Sequence, residues 1–213
     1  ACDLVPINNN LIDEIYCEKT NIKNNYFYNL DYKITGETIK SKLDKIYNTL
    51  GKNKVDNLFI SAPENVAWLL NLRGKDNPNS PIPNCKIILS NKKKIFLFSN
   101  LSKIQKIKKK SQYKKIYFNN FEKFFLILSK LNGKTFCIDK LTCSISCQSL
   151  IQSKFKIINF EDPCYELKAI KNSIEINNMK KTHIHDGVAL TKFLYWIKNR
   201  KINNLDELKV EKK

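Results

Sequence analysis

The chain has little glycine, and this scarcity excludes several kinds of site. Five of its 213 residues are glycine. No Gly-x-Gly-x-x-Gly, phosphate-binding loop or Gly-x-Ser-x-Gly sequence occurs. Loops that cradle phosphates need glycine because the backbone must approach the ligand closely or adopt positive φ angles. The sequence therefore argues against a nucleotide-binding loop and against a serine-hydrolase nucleophile.

Long apolar runs and a secretion signal are also missing. No stretch of 18 apolar residues occurs, so the sequence predicts no membrane-spanning helix. The opening residues, ACDLVPINNNLIDEIY, lack the basic and apolar segments of a signal peptide. The chain begins at Ala1 rather than at methionine, and we expect it to be a piece of a longer protein. Its length suggests one or two domains.

Arginine is almost absent although the formal net charge is +18. Among 38 basic residues only Arg73 and Arg200 are arginine. The planar guanidinium is the preferred group for reading bases and gripping phosphates, so this composition argues against specific nucleic-acid recognition. Lysine, asparagine and isoleucine share A/T-rich codons, and genome composition is a sufficient explanation for the lysines. A functional basic surface is the alternative, but the densest run, Lys103 to Lys115, is predicted to be a solvated helix face and turn.

Cysteine spacing does not match a zinc site. The run Cys137-x5-Cys143-x3-Cys147 lacks paired knuckles, and the histidines lie far along the chain. We therefore predict reduced thiols, several of them buried, in a cytoplasmic protein, with a degradative vacuole as the alternative compartment. The seven cysteines are Cys2, Cys17, Cys85, Cys137, Cys143, Cys147 and Cys164.

The only two histidines, His183 and His185, sit beside Asp186 in a segment with helical periodicity. Residues two apart on a helix point about 200° apart, so these histidines cannot share one metal ion there. His183 and Asp186 share a face and are predicted to pair with each other.

Hydrophobic patterning predicts an α/β fold with a mixed, mostly parallel sheet flanked by helices, and one antiparallel pair. Thr35 is the predicted cap of a first helix that buries Ile39, Leu43, Ile46 and Leu50, and Gly51 is its predicted end. Predicted strands are Asn57–Ser61, Cys85–Ser90, Ile95–Ser99, Tyr113–Phe118, Lys134–Asp139 and Phe155–Phe160. Further predicted helices are Glu64–Leu72, Leu101–Lys110, Phe121–Leu131 ended by Gly133, and Ser144–Ser153.

After Glu161-Asp162-Pro163 the pattern changes. One helix from Tyr165 to about Lys198 fits, and at about 50 Å it overshoots the sheet domain. We expect it to begin a second domain. Its stretch from about His185 to Lys213 is predicted to be frayed or self-associated when nothing covers it. The apolar stripe consists of Ile170, Ile174, Ile184, Val188, Leu194 and Ile197.

Two segments resemble a known family, the eukaryotic three-domain aminopeptidase P, or Xaa-Pro aminopeptidase. AWLLNLRGKDNPNSPI, Ala67–Ile82, resembles a Trp-Leu-x-Asn-Leu-Arg-Gly-x-Asp segment followed by Asn-Pro in that family's middle domain. The helix Lys168–Ile197 resembles the one that opens the catalytic domain. Asp139-Lys140 resembles a Ser-Asp-Lys turn. The connector match is weaker, because Tyr16 and CEKTN replace the usual Trp and Arg-Pro. In the helix the matching positions are Lys-Ala-x-Lys-Asn from Lys168, Met179, His183, Asp186, Ala189-Leu190 and Trp196.

The resemblance implies a creatinase-type α/β domain followed by a pita-bread catalytic domain. That domain binds two divalent ions, usually Mn²⁺, through two Asp, one His and two Glu, all downstream of this helix. No catalytic residue and no metal ligand therefore carries over, and His183 and His185 are expected to be scaffold. The implied domains are a connector at 1–32, the middle domain at 33–162 and an incomplete catalytic domain at 163–213.

The implied activity is removal of the N-terminal residue from peptides with proline in second position. The implied partners are such short peptides, the rest of the parent chain and a second copy in a homodimer, with no specific nucleic acid and no membrane. The rival hypothesis is a non-catalytic basic α/β module that binds RNA or acidic partners. The two differ in whether the parent chain continues into the five metal ligands.

Three residues are candidates for a loop at the mouth of the active-site cleft: Arg73, Asp76 and Asn77. The alternative, which we favour, is that Arg73 and Asp76 pair with each other or with the long helix and fix the loop. Trp68 and Trp196 lie among leucine and isoleucine and are predicted to be core residues rather than stacking platforms.

Overall fold

A computed structural model describes residues 11–15, 25–199 and 206–211. Part of the predicted connector, with Cys2, Tyr16 and Cys17, lies outside these residues, as does Arg200. The elements in chain order are α1 (Leu11–Ile15), β1 (Tyr28–Asn29), α2 (Tyr32–Thr35), α3 (Ile39–Lys52), β2 (Asn57–Ile60), α4 (Pro63–Leu69), β3 (Leu72–Arg73), β4 (Lys86–Ser90), β5 (Ile95–Phe98), α5 (Gln105–Lys108), β6 (Ile116–Asn119), α6 (Phe124–Lys130), β7 (Thr135–Ile138), α7 (Ile145–Gln152), β8 (Lys156–Asn159), α8 (Cys164–Ala169), α9 (Ser173–Lys198) and α10 (Glu207–Glu211).

The main sheet has six strands in the order β6-β5-β4-β2-β7-β8. The pairs β5–β6, β2–β7 and β7–β8 are parallel. Strand β4 runs against both of its neighbours, β2 and β5. The mostly parallel α/β sheet is confirmed, but the expectation of one antiparallel pair is wrong. The hairpin inserts β4 between β2 and β5, which makes two such pairs.

Two apolar layers cover the sheet. Helices α3, α4 and α5 pack on one face, where Leu43, Ile46 and Val66 are buried with β-strand residues such as Ile87. Helices α6 and α7 pack on the other face around Phe136, which is fully buried. Five thiols, those of Cys85, Cys137, Cys143, Cys147 and Cys164, are free and buried, which confirms the prediction that several thiols are buried.

Helix α3 buries the predicted apolar residues, but its ends differ from the prediction. Its N-cap is Thr38, whose hydroxyl accepts a hydrogen bond from the Ser41 amide, whereas Thr35 closes the short helix α2. Gly51 lies inside α3, and the helix ends at Lys52. The left-handed residue that follows is Lys54, with φ 53°, so a glycine was not needed to end the helix.

Other predicted helices are shorter. The basic helix predicted at Leu101–Lys110 is reduced to α5, followed by a 3₁₀ turn at Ser111–Tyr113. Ahead of α6 a second 3₁₀ turn changes the phase of the aromatic stripe, because 3₁₀ structure has three residues per turn. Phe121, in that turn, is 41% exposed. Within α6, Phe124 and Leu128 share the buried face, whereas Phe125 lies off it and is 59% exposed.

The single helix predicted from Tyr165 is two helices, α8 and α9. Ile170 adopts an extended backbone, and Asn172 caps α9. The Asn172 side chain accepts hydrogen bonds from the amides of Ile174 and Glu175, while Glu175 accepts from the Asn172 amide. This reciprocal capping box fixes the start of α9 and separates it from α8.

A candidate functional site at the carboxyl edge of the sheet

All strands of the main sheet except β4 end at the same edge. In open α/β sheets, ligands bind outside the carboxyl ends of the strands, so this edge is the first place to look for a site. The 73–83 loop reaches the same edge, because β4 runs in the opposite direction and starts there. Asp139 and Asp162, which follow β7 and β8, also lie at this edge.

Internal contacts hold the 73–83 loop in place. The Gly74 amide donates to the Pro81 carbonyl at 2.9 Å. A Cβ on Gly74 would lie 2.8 Å from the Cα of Pro83, so only glycine fits this close approach. Asp76 accepts from the Asn84 amide at 2.6 Å and forms an ion pair with Lys103. The loop base is thus fixed by backbone contacts and one largely buried charge pair.

The structure places the three candidate residues of this loop in different environments. Arg73 does not pair with Asp76 or with α9, contrary to our expectation. Its guanidinium donates to the carbonyls of Leu72 at 2.7 Å and Ala67 at 3.3 Å, and burial lowers its pKa. Asn77 is exposed at the tip. Arg73 and Asp76 therefore support the loop from beneath, and Asn77 is the candidate that faces solvent.

Lys42 was missed by sequence reasoning. It is 2% exposed, and its ammonium donates to the Trp68 carbonyl at 2.8 Å and to Asn71 Oδ1 at 2.7 Å. The Trp68 ring lies 4.2 Å away, a cation–π contact. Burial lowers the pKa of Lys42 to about 8, although Glu175 and Glu37 oppose this shift. The available signal was its position within the apolar stripe of α3, where lysine is unusual.

The Trp-Leu-x-Asn-Leu-Arg segment is thereby explained as structure. Asn71 adopts a left-handed backbone with φ 51°, and its side chain also donates to the Glu37 carbonyl at 2.9 Å. Leu72 pairs with Asn29 in the small β1–β3 sheet. Trp68 packs against the core as predicted, whereas Trp196 lies on α9, half-buried, outside both apolar layers.

A buried polar joint connects the sheet to α8. Asp162, 2% exposed, accepts from Asn65 Nδ2 at 2.7 Å, and Lys168 donates to Asn65 Oδ1 at 2.5 Å. Asp139 accepts from the Asp162 amide at 3.2 Å. Burial raises the pKa of Asp162, and the Asp139 carboxylate acts in the same direction. The lysine that opens the Lys-Ala-x-Lys-Asn segment thus anchors α8.

A second joint connects α2 to α9. Asn172 Nδ2 donates to the Thr35 carbonyl at 2.9 Å. Gly36 has φ 63°, and a Cβ there would lie 2.2 Å from Asn172 Oδ1. Asn178 donates to the carbonyls of Lys33 and Ile34. The first turns of α9 are therefore fastened to the sheet domain, and its direction is set there.

Beyond these turns most of α9 is exposed, and only Phe193, Trp196 and Ile197 are partly buried. None of its residues is buried. His183, His185 and Asp186 are all exposed, and the predicted pair between His183 and Asp186 is not among the ion pairs of the described residues. Within the described ranges no three His, Cys, Asp or Glu side chains could hold a metal ion. The described residues therefore offer no ligand set for a metal centre. The resemblance implies that the five ligands lie downstream of this helix.

Among the described residues, no helix is both long enough and apolar enough to cross a membrane.

The fold and this edge define a domain class. A model of the creatinase/prolidase N-terminal domain matches residues 18–175, so the chain belongs to this family. The Xaa-Pro aminopeptidase 1 of Dictyostelium discoideum is 33% identical over 87% of this chain and 29% of its own length. The Drosophila melanogaster Xaa-Pro aminopeptidase ApepP is 31% identical over 93% of this chain and 33% of its own length. The chain thus spans about a third of the length of these curated relatives.

Solved structures show the same fold. An X-prolyl aminopeptidase from Caenorhabditis elegans, described as a cytosolic enzyme with a di-nuclear active site, matches with a TM-score of 0.83 at 22% identity. The match covers 97% of this chain and 35% of that one. The prolidase from Pyrococcus horikoshii matches with a TM-score of 0.55 at 18% identity, over 80% of this chain and 46% of that one.

Proposed function

We propose that this chain is the middle domain, at 33–162, and the start of the catalytic domain, at 163–213, of an Xaa-Pro aminopeptidase. The observation that carries the proposal is the similarity to Xaa-Pro aminopeptidases over most of this chain but only about a third of theirs. The exposed apolar side chains of α9 support it, since a second domain packed on that helix would cover them.

In this proposal the chain contributes no catalytic residue, and its role is to position the helices that lead into the catalytic domain. Hydrolysis of an Xaa-Pro bond adds water to the carbonyl carbon and transfers a proton to the departing proline nitrogen. Two bound divalent ions, Mn²⁺ in our proposal, would supply the activated water and the charge that stabilises the oxyanion. Their ligands belong to the part of the parent outside this chain. Lys168 and Asn172 contribute by fixing the direction in which α8 and α9 leave the sheet domain.

The exposed tip of the 73–83 loop is our candidate for the wall of the substrate entrance. Arg73 and Asp76 hold the base of the loop, and Asn77 is presented to solvent. We propose that the tip limits access to short peptides. We also propose a cytosolic location and a homodimeric parent. The five buried thiols agree with the cytosol, and no observation favours a degradative vacuole.

The test compares this chain with a version extended to the length of the relatives. We expect the 213-residue chain with added Mn²⁺ to hydrolyse no fluorogenic Xaa-Pro peptide and to bind no stoichiometric Mn²⁺ by calorimetry, while the extended protein does both. Turnover by the short chain above a protein-free blank contradicts the proposal, as does an inactive but folded extended protein. The rival hypothesis of a module that binds RNA or acidic partners is not favoured. The matches to Xaa-Pro aminopeptidases cover 87% and 93% of this chain.

A further inference from the structure

A cleft of about 590 Å³ opens between α3 and the segment that runs from Ser111 into β6. Strands β5 and β6 begin at this cleft, so it lies at the opposite edge of the sheet from the 73–83 loop. Its volume falls within the range of small-molecule sites. The cleft is therefore a separate feature from the candidate site described above.

The floor of the cleft is apolar. Ile39 and Leu43 contribute from α3, and Ile95 and Ile116 contribute from the first residues of β5 and β6. Each of these four side chains is at most 9% exposed. The apolar part of a ligand that binds on this floor would be removed from water, which is favourable. The floor needs no rearrangement for this, because its side chains already belong to the packed core.

The rim of the cleft carries an excess of positive charge. Lys40, Lys93, Lys114 and Lys115 line it, all of them exposed, and none is paired with a carboxylate among the described residues. Of the two acidic lining residues, Glu37 is neutralised by Lys45 at 2.7 Å. Asp44 is the other.

Helix α3 adds to this charge. It is 14 residues long, it begins at the cleft with Thr38 as its cap, and its first turn contains no acidic residue. The amino end of a helix carries a partial positive charge from its free N–H groups. Glu37, one residue before the cap, accepts from the Ser41 hydroxyl at 2.6 Å and already occupies part of this helix end. The four lysines therefore carry most of the preference for an anion.

The wall of the cleft also contains an unsatisfied donor. Tyr47 lines the cleft, and its buried hydroxyl has no hydrogen-bond partner among the described residues. Buried polar groups without a partner are uncommon, so this hydroxyl calls for an explanation. Burial raises the pKa of Tyr47 to about 12, with Asp44 acting in the same direction, so this group remains a protonated donor at neutral pH.

We propose that this cleft binds a small amphipathic anion, with its apolar body on the isoleucine and leucine floor and its charged head among the four lysines. The head is a carboxylate or a phosphate monoester, because a lysine ammonium binds either one as a point charge. The proposal does not depend on the peptidase function, since the cleft and the 73–83 loop lie at opposite edges of the sheet.

The test uses the 213-residue chain, ¹⁵N-labelled, in NMR titrations with 4-phenylbutyrate and with 4-phenyl-1-butanol, which share one apolar body and differ in the head. A third titration with phenyl phosphate compares the two anionic heads. We expect saturable shifts confined to Ile39–Tyr47, Lys93–Ile95 and Gln112–Ile116, and binding of the alcohol at least fivefold weaker than that of the acid. The amides of α9 are the internal reference for non-specific apolar binding.

Two variants locate the interaction. Lys93→Gln combined with Lys114→Gln should weaken binding of the acid at least fivefold and leave the alcohol unchanged. The matched control, Lys108→Gln combined with Lys109→Gln, removes the same charge from exposed positions outside the cleft and should change neither affinity. Ser111→Trp, at an exposed position on the rim, should weaken both ligands by partly filling the cleft.

Three results overturn the proposal. One is equal affinity for the acid and the alcohol, which would make the cleft an apolar groove without anion preference. Another is shifts that map to α9 rather than to the cleft. The last is an equal loss of affinity in the Lys108/Lys109 control, which would assign the effect to net charge alone.

Discussion

The sheet domain and α9 contain the same abundant isoleucines and lysines but place them differently. In the sheet domain, both faces of the sheet are covered, and residues such as Phe136 and Ile87 are fully buried. In α9 no residue is buried, and Val188, Leu190 and Leu194 are about half exposed, at 50%, 58% and 47%. The sheet domain is therefore stabilised by packing within this chain, whereas α9 depends on its cap, its joint to α2 and its intrinsic helicity.

The largest expected effect contrasts two aromatic truncations. Phe136→Ala removes a fully buried ring that packs edge-on against Phe155 at 5.1 Å, and we expect a loss of about 3–5 kcal/mol in the free energy of unfolding. Tyr195→Ala, at a position 72% exposed on α9, should change it by less than about 0.5 kcal/mol. Urea unfolding measures both. A cost of Tyr195→Ala near that of Phe136→Ala would mean that α9 is packed after all.

The next effect concerns the charge buried beneath Trp68. Native Lys42 has a pKa of about 8, lowered from 10.5. Below pH 8 both states carry the proton; between pH 8 and 10.5 only the unfolded state does, so deprotonation of the native state relieves the burial penalty. We expect the unfolding free energy of the wild type, relative to Lys42→Met, to rise across that window by roughly 3 kcal/mol.

Urea unfolding at several pH values between 7 and 11 measures this difference, and taking the difference cancels the titration of the other lysines, tyrosines and thiols. Lys40→Met, at an exposed position in the same helix, is the control and should show no such window. A flat difference for Lys42→Met would show that Lys42 titrates normally.

A smaller effect tests the joint between the two regions. Gly36→Ala places a methyl group against Asn172 at a backbone with φ 63°, and we expect a cost of about 1–3 kcal/mol and faster hydrogen exchange in the first turns of α9. Gly51→Ala is the matched control: it lies inside α3 with open space around it and should stabilise by about 0.5–1 kcal/mol. If Gly36→Ala and Gly51→Ala change the free energy of unfolding equally, the contact between Gly36 and Asn172 does not hold α9 in place.

The smallest effect sharpens the description of α9 itself. Amides of Val188–Ile197 should exchange faster than those of Phe155–Phe160, because no residue of α9 is buried. Gly187→Ala, with open space around it, should slow that exchange about fivefold through helix propensity alone, about 1 kcal/mol. If the wild-type amides of Val188–Ile197 are protected as strongly as those of Phe155–Phe160, the helix is packed within this chain and our domain boundary is wrong.

Local signals predicted the strands well. Five of the six strands of the main sheet fall within one residue of their predicted bounds, because apolar runs bounded by turn residues are strong local patterns. Strand β6 begins three residues later than predicted, at Ile116, because a 3₁₀ turn occupies Ser111–Tyr113. The placement of β4 between β2 and β5 was not predictable in this way, since it depends on pairing between distant segments. The break before α9 was predictable, because Asn172 and Glu175 have capping-box spacing.

The candidate site was predicted less well. Arg73 ends β3, and Asp76 and Asn77 lie in the loop that follows it. Arg73 donates to the carbonyls of Leu72 and Ala67. Asp76 contacts the Asn84 amide and Lys103, and no sequence spacing indicates any of these partners. Lys42 shows the same limit. Its burial depends on Trp68 and Asn71, which lie 26 and 29 residues away in the sequence. Whether Asn77 lies at a substrate entrance stays a prediction.

The pairing of β2 has a consequence for synthesis of the chain. Asn57 pairs with Ser90 on one side and with Phe136 on the other. At about 5–20 residues per second, the ribosome needs roughly 4–16 s after making β2 to deliver β7. Both edges of the Asn57–Ile60 strand lack their partners until β4 has been made, and one edge stays open until β7 follows. An open edge invites pairing with another nascent chain. A ribosome that pauses between Leu97 and Thr135 therefore prolongs the time during which one edge of β2 is open to another chain.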